Sequence, residues 1–271
     1  MPNDILAVYK PIGITSHQVA IRLAQKLGTV VTHTGSLDPM AEGVLVLLVG
    51  PEARKRQAEL QAVDKDYEFD LLSGFSTDSY DQLGLVTGMA AYDPENFPEE
   101  KVNDLVTRLV GKREQELPPF SSTIIRGKPL FWWAREGRLQ EVGLPVREIE
   151  IYKAELLRRS EITKSDLEKL ILKNILLTDG DFRQDRIKEI WQTALADHPN
   201  DRFSIATIRT TVGSGTYIRS IVNELGQAIE IPSIALRILR TRNGRFDLAA
   251  CTPLSELLFD PFFNRIRHAR R

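Results

Sequence analysis

Asp38 stands in the run Thr32-His33-Thr34-Gly35-Ser36-Leu37-Asp38-Pro39, just ahead of the apolar stretch Gly43–Gly50. Proline biases the residue before it toward an extended backbone, and Gly35 allows an unusual backbone angle. A carboxylate therefore sits at the lip of a buried strand, where burial and partners tune it for nucleophilic or proton-transfer work. An isolated Asp-Pro is more often an Asx turn, and it is the eight-residue context that shifts the balance. A second group is Gly215-Thr216-Tyr217-Ile218-Arg219, which follows a strand and opens a helix. An arginine is unfavourable at the positive end of a helix, so an acidic partner, either Asp38 or a phosphate, is expected beside Arg219. The plainer alternative is a surface arginine paired with Glu224. A third group is Lys65-Asp66-Tyr67-Glu68 on an alternating segment, where a tyrosine usually packs in the core with its hydroxyl at the edge.

Other chemistries are absent from the chain. Gly213-Ser214-Gly215 lacks the third glycine of a dinucleotide loop, because Ile218 stands there. There is no Walker-type loop, no Gly-x-Ser-x-Gly elbow and no pair of histidines at helical spacing. One cysteine, Cys251, and four scattered histidines, His17, His33, His198 and His268, give neither a disulfide framework nor a zinc cluster. No metal and no cofactor is expected. The net charge of −1 hides a gradient: residues 59–105 carry 12 acids against 2 lysines, and residues 202–271 carry 11 arginines, no lysine and 5 acids. The acidic stretch reads as a solvated face. The arginines, interleaved with Tyr217, Phe246, Phe262 and Phe263, fit phosphates and base edges and make nucleic acid a candidate partner.

These residues need a scaffold. Alternation predicts strands at Ile5–Tyr9, Tyr67–Leu71, Val146–Leu156 and Phe203–Val212, and Gly43–Gly50 reads as a strand buried on both faces. Ser16 is placed to cap a helix burying Val19, Leu23 and Leu27, with Ala20 and Ala24 beside them. Further helices are expected over 98–111 (Val102, Leu105, Val106, Leu109) and 216–229 (Ile218, Ile221, Val222, Leu225, Ile229). The mixed order predicts an α+β fold. Residues 158–201 read as an inserted helical hairpin, accessory to the core. The first residues lack a secretory pattern, and no apolar run is long enough for a bilayer. A cytoplasmic protein is expected, with no membrane association.

Taken together the motifs resemble the bacterial tRNA pseudouridine(55) synthases, the TruB family. The resemblance starts at Tyr9-Lys10-Pro11-Ile12-Gly13-Ile14-Thr15-Ser16 and includes the His33–Pro39 loop, Lys65–Tyr67 and Thr77-Asp78-Ser79-Tyr80-Asp81-Gln82-Leu83-Gly84. It continues through Leu117-Pro118-Pro119-Phe120-Ser121 to Ala134-Arg135-Glu136-Gly137, then Gly215–Arg219, Leu225-Gly226 and Leu239–Phe246, in the family's order across roughly residues 5–247. It implies a pseudouridine synthase fold: a mixed, mostly antiparallel central sheet flanked by helices, with a cleft and no cofactor or metal. Residues 1–250 would form the catalytic domain, 158–201 an inserted helical segment and 251–271 a basic tail, with no PUA domain.

By the same resemblance Asp38, Tyr67 and Arg219 are the catalytic residues. Asp38 would cleave the glycosidic bond, Tyr67 would stack on a flipped uracil and Arg219 would pair with Asp38. His33, Tyr217, Ile238, Lys10 and Gly35 would bind substrate. The chemistry agrees: isomerising uridine to its C-glycoside needs a carboxylate near C1′ and C2′, acting as nucleophile or as base. A neighbouring cation favours the charged carboxylate, and an aromatic face with an apolar wall receives the flipped base. The partner implied is the T arm of tRNA, handled by a monomer with no obligate protein partner. The rival readings are the same reaction on another RNA and a non-catalytic tRNA-folding protein. The chain departs from the family pattern at Thr32, where glycine is usual, and at Ile124, where a lysine is expected and Arg126 is near enough to replace it. The insertion and the short end, with 25 residues after Phe246, are further departures; the tail Arg265–Arg271 is the expected basic grip.

Overall fold

The computed structural model describes residues 4–259. Phe262, Phe263, His268 and Arg265–Arg271 of the expected tail lie outside them. The strands are β1 (Asp4–Lys10), β2 (Val31–His33), β3 (Ala41–Val49), β4 (Lys65–Ser73), β5 (Phe75–Thr77), β6 (Val86–Met89) and β7 (Gly111–Glu116). They continue with β8 (Ile124–Ile125), β9 (Lys128–Pro129), β10 (Val146–Thr163), β11 (Arg202–Val212), β12 (Ser233–Asn243), β13 (Phe246–Asp247) and β14 (Thr252–Pro253). The helices are α1 (Ser16–Leu27), α2 (Pro51–Arg54), α3 (Gln57–Gln61), α4 (Glu99–Thr107), α5 (Leu130–Arg135), α6 (Lys164–Leu177), α7 (Gln184–Asp197), α8 (Ile218–Ile229) and α9 (Leu254–Phe259).

The central sheet has the order β14-β1-β3-β12-β4-β11-β10-β7, with β2 beside β3 and β13 beside β12. Among the described residues β1/β14 and β3/β12 pair in parallel and the sheet's other pairings are antiparallel. This is the expected α+β class with a mixed, mostly antiparallel sheet. β3 is buried along nearly its whole length, because it lies between β1 and β12 and is covered on both faces. Close approach of β12 requires Gly43, whose φ is +109° and where a Cβ would stand 2.3 Å from the Arg240 carbonyl oxygen. Helix α8 lays Ile218, Ile221, Val222, Leu225 and Ile229 into a core shared with Tyr67, Phe69 and Ile238.

Several expectations need correcting. Thr15, not Ser16, caps α1: its hydroxyl accepts from Gln18 N while the Gln18 side chain accepts from Thr15 N. The Ser16 hydroxyl is spent on Leu37, accepting from its amide at 2.7 Å. The helix expected over 98–111 ends at Thr107, because Leu109 is already buried in the turn that enters β7. Residues 251–259 are not a tail: β14 pairs with β1 and Leu257 of α9 is fully buried against α1.

The helical segment is also shorter and more deeply packed than expected. β10 runs on to Thr163, its polar end pairing with β11 as far as Thr163 opposite Arg202. The α6–α7 pair fills the connection of that hairpin, closed by Lys164 N donating to Asp201 O at 2.8 Å. Leu167, Ile171, Ile187, Trp191 and Leu195 bury themselves against Phe75, Phe203, Ile234 and Leu236 of the sheet side. Trp191 is fully buried, its ring 5.0 Å from that of Phe75 and its indole N–H donating to Gln82 O at 3.1 Å. Among the described residues no helix is long and apolar enough to cross a membrane. Trp191→Ala should cost about 3–5 kcal/mol of global stability and leave one cooperative transition in chemical denaturation. A separate early transition of the helices, with the rest unmoved, would mark them as a detachable accessory.

Candidate active site

Asp38 and Arg219 are 181 residues apart in the chain and meet in the structure. The Arg219 guanidinium grips the carboxylate with two bonds, Nε to Oδ2 at 2.8 Å and Nη2 to Oδ1 at 3.1 Å. The Arg219 side chain is 2% exposed, whereas that of Asp38 is 33% exposed, so the acid keeps an open side. Two more bonds go to backbone: Nη1 donates to Ser79 O at 2.8 Å and Nη2 to Phe120 O at 2.9 Å. Burial works against this charge, but Asp38 and Asp81 more than offset it and hold Arg219 above the usual arginine value. Arg219 lies in the first turn of α8, whose N-cap is Tyr217. The amide of Gln115 pins the backbone of Tyr217, accepting from its N at 2.8 Å and donating to its O at 3.0 Å. Glu224, the alternative partner, binds Arg113 instead.

The loop around Asp38 is held from its other flank by Arg240 of β12, 1% exposed. Its Nε donates to Val44 O at 2.7 Å, and its two Nη atoms reach Ser36 O at 3.3 Å and Gly35 O at 3.1 Å. Arg240 lies opposite Tyr67 in the β12/β4 register, and its Nη1 is 3.4 Å from the Tyr67 hydroxyl. Tyr67 itself is 7% exposed. Ile238 lies opposite Phe69 and Ala41, on the same face as Tyr67 and two residues before Arg240. Asp38 is thus paired with Arg219, and its neighbour Leu37 shares a buried cluster with Tyr67, Ile218 and Ile238.

The remaining sequence-predicted residues divide. Tyr217 is half-buried, its hydroxyl 3.4 Å from that of Thr123. His33, on β2, has its basicity lowered by burial and by Arg240, and its Nδ1 is buried without a partner. Gly35 does not adopt a left-handed angle; its backbone is within reach of any residue, and what it supplies is a carbonyl for Arg240. Lys10 is turned into its own loop. It is fully buried, with Nζ donating to Pro11 O at 2.9 Å and Ile14 O at 2.6 Å, so it ties down the Pro11–Ile14 loop. Exposed Arg126 sits at a left-handed position in the turn between β8 and β9.

Asp81 was hidden in the acidic stretch read as a solvated face. It is 5% exposed and lies 3.5 Å from Arg219 Nε. Its Oδ1 accepts from Ser79 Oγ at 2.9 Å and Leu83 N at 2.8 Å. Burial pushes its carboxyl up to about 6, against the pull of Arg219. What singles it out is Arg219 itself, a buried cation whose first acid partner, Asp38, is partly exposed. Among the described residues no cluster of three His, Cys, Asp or Glu is placed to hold a metal.

Residues 23–172 match a family model described as TruB family pseudouridylate synthase (N terminal domain). The chain belongs to the TruB family. It is 32% identical over 264 residues to tRNA pseudouridine synthase B of Deinococcus deserti, covering 95% of this chain and 79% of that one. The corresponding Bacillus subtilis protein is 32% identical over 260 residues, with 95% and 70% covered. Among solved structures, one chain of a Cbf5-Nop10-Gar1 complex superposes with a TM-score of 0.59 at 20% identity, over 97% of this chain and 56% of that one. The archaeal box H/ACA Nop10-Cbf5 complex gives a TM-score of 0.55 at 19% identity. This TruB chain spans little more than half the length of those two, and the likeness to them is one of fold.

Burial pushes the Lys10 ammonium down to about 7, with the Asp38 charge pulling the other way. An unfolded lysine keeps its proton to about pH 10.4, so between about pH 7 and 10 the unfolded state binds more protons and stability rises with pH. Below about pH 7 both states hold the proton and this contribution stops changing. Chemical denaturation over that window should show wild type gaining up to about 1 kcal/mol per pH unit relative to Lys10→Met. Parallel curves would show that the ammonium stays charged in the fold.

Proposed function

We propose that this chain isomerises a uridine of RNA to pseudouridine, and that its substrate is the T-arm loop of tRNA at position 55. The observation that carries the reading is the Asp38 carboxylate, clamped on one side by a buried guanidinium and open on the other. Such a group is oriented in advance and needs no reorganisation when a ribose arrives. The family membership and the relatives named tRNA pseudouridine synthase B support the choice of reaction and of substrate.

In the reaction the C1′–N1 bond breaks, the freed uracil turns, and C5 bonds to C1′. C5 loses its proton and N1 gains one, so atoms and electrons balance without a redox partner. Asp38 acts either by attacking C1′, giving an ester that C5 later displaces, or by removing a C2′ proton, giving a glycal to which the base adds back. In both routes Arg219 balances the carboxylate's charge and holds its angle. The Tyr67 ring and the Ile238 side chain receive the base once it leaves its stack. His33 and Tyr217 border the same cleft as substrate contacts. The arginines of the final third supply phosphate affinity, in a monomeric, cytoplasmic enzyme without an obligate protein partner. Residues 1–250 would carry the chemistry, with 251–259 completing the sheet edge.

Asp38→Asn should bind a tRNA transcript as wild type does and lower pseudouridine formation by about 1000-fold or more. Arg219→Ala should lower the rate more than the affinity. Modification at the wild-type rate by Asp38→Asn, measured by tritium release from C5-labelled uridine, would overturn the assignment. A tRNA-folding protein without chemistry would show no release from wild type either.

A further inference from the structure

We propose that Arg183, in the turn between α6 and α7, is a positioning residue for Arg219. This rests on the reading that Asp38 and Arg219 carry the isomerisation. Two of the four acceptors of the Arg219 guanidinium are main-chain carbonyls, Ser79 O and Phe120 O. They belong to different segments, 78–84 and 117–121, and Arg183 joins the two. Its Nη1 and Nη2 both bind the Asp78 carboxylate, at 2.7 and 3.3 Å. Its guanidinium carbon stands 4.5 Å from the centre of the Phe120 ring. Asp78 precedes Ser79 and closes its own loop by accepting from Leu85 N at 2.8 Å. Arg183 thus sets the distance between the residues that carry both carbonyls, without touching Arg219 or Asp38.

Two further observations support the placement. Arg183 has a φ of 65°, a region that residues with a Cβ adopt rarely and that surrounding contacts must hold. The same turn also reaches the loop next to Asp38. Asp179 N donates to Gly13 O at 2.7 Å, and Gly13 N donates to Pro39 O at 2.8 Å, one residue after Asp38. Gly13 has a φ of +95°, and a Cβ there would lie 2.1 Å from Leu177 O, so the helical pair is seated directly on that loop. Asn174 of α6 adds a buried bond to Gln82 at 3.0 Å, in the segment that also holds Ser79 and Asp81. A guanidinium with this grip acts on geometry, so its loss should appear in the chemical step and not in RNA affinity.

The test uses the full chain and a T-arm stem-loop RNA, reading single-turnover pseudouridine formation and, separately, Kd by filter binding. Arg183→Ala should lower the single-turnover rate about 10- to 100-fold, with Kd within about twofold. Arg183→Lys keeps a charge on Asp78 but loses the two-pronged grip and the flat stack, and should fall between. Combining Arg183→Ala with Asp78→Asn should cost little more than either change alone, because both remove one link. An unchanged rate in Arg183→Ala overturns the inference. So does a rate that falls only in proportion to affinity, which would make Arg183 an RNA contact. If Arg183→Ala does not fold, Arg183→Lys and Asp78→Asn decide: a slower rate at unchanged Kd supports the inference and a wild-type rate overturns it. A wild-type protein that leaves the RNA unmodified overturns the underlying reading and this inference with it, whereas an active wild type with an unaffected Arg183→Ala overturns the inference alone.

Discussion

A guanidinium removed from water must find an acceptor for each N–H group, and Arg219 is 2% exposed. Burying such a charge is costly unless it is both paired and hydrogen-bonded. The site follows from that requirement. One pair of bonds goes to Asp38, and the others reach carbonyls on segments near positions 79 and 120, with Asp81 3.5 Å away as a second negative charge. Three segments, around positions 38, 79–81 and 120, thus converge on one side chain of α8. Asp81 bears part of the cost, its carboxyl driven up to about 6 by burial.

Arg240 solves the same problem differently. It has no close carboxylate partner among the described contacts and spends its donors on the carbonyls of Val44, Ser36 and Gly35. Two buried arginines therefore hold the Asp38 loop, one by its reactive side chain and the other by its main chain. The register places Arg240 directly across from Tyr67, and an irregularity between Arg240 and Arg242 follows at once in β12. Such an irregularity changes which way later side chains point, and Arg242 comes opposite Asp66, the residue before Tyr67, and binds its carboxylate. Of the arginines that suggested nucleic acid, those at positions 219 and 240 are thus internal, whereas Arg202 and Arg209 are exposed.

What was legible in the sequence was local. Alternation and apolar runs located β1, β3, β4, β11 and α8 to within a few residues, and the helix-end conflict at Arg219 called for the acid it has. What was not legible depends on partners distant in the chain. Ser16 looks like a cap until Leu37 is seen to claim its hydroxyl. The polar end of β10, residues 158–163, reads as part of the helical hairpin because its pairing with β11 is invisible in its own residues. Lys10 sits in a motif that suggests a substrate contact, yet its ammonium is locked on two carbonyls of the next loop. Asp81 is one acid among many until burial distinguishes it.

The α6–α7 pair shows how the connection of a hairpin comes to bear on a site. Lengthening a hairpin connection costs only slowly increasing closure entropy, and here the hairpin end is sealed by the bond from Lys164 N to Asp201 O. The two helices contribute their own apolar faces and cover Phe75, Phe203 and Leu236, which an ordinary turn would leave open to water. Once seated, their connecting turn is bound to have neighbours, and the nearest are the loops that carry Gly13, Asp78 and Phe120. Those loops are also the ones on which Asp38 and Arg219 depend. Packing that covers a sheet face therefore also reaches the loops around the acid–guanidinium pair, through the Arg183 side chain on Asp78 and Phe120 and through the bond from Asp179 N to Gly13 O.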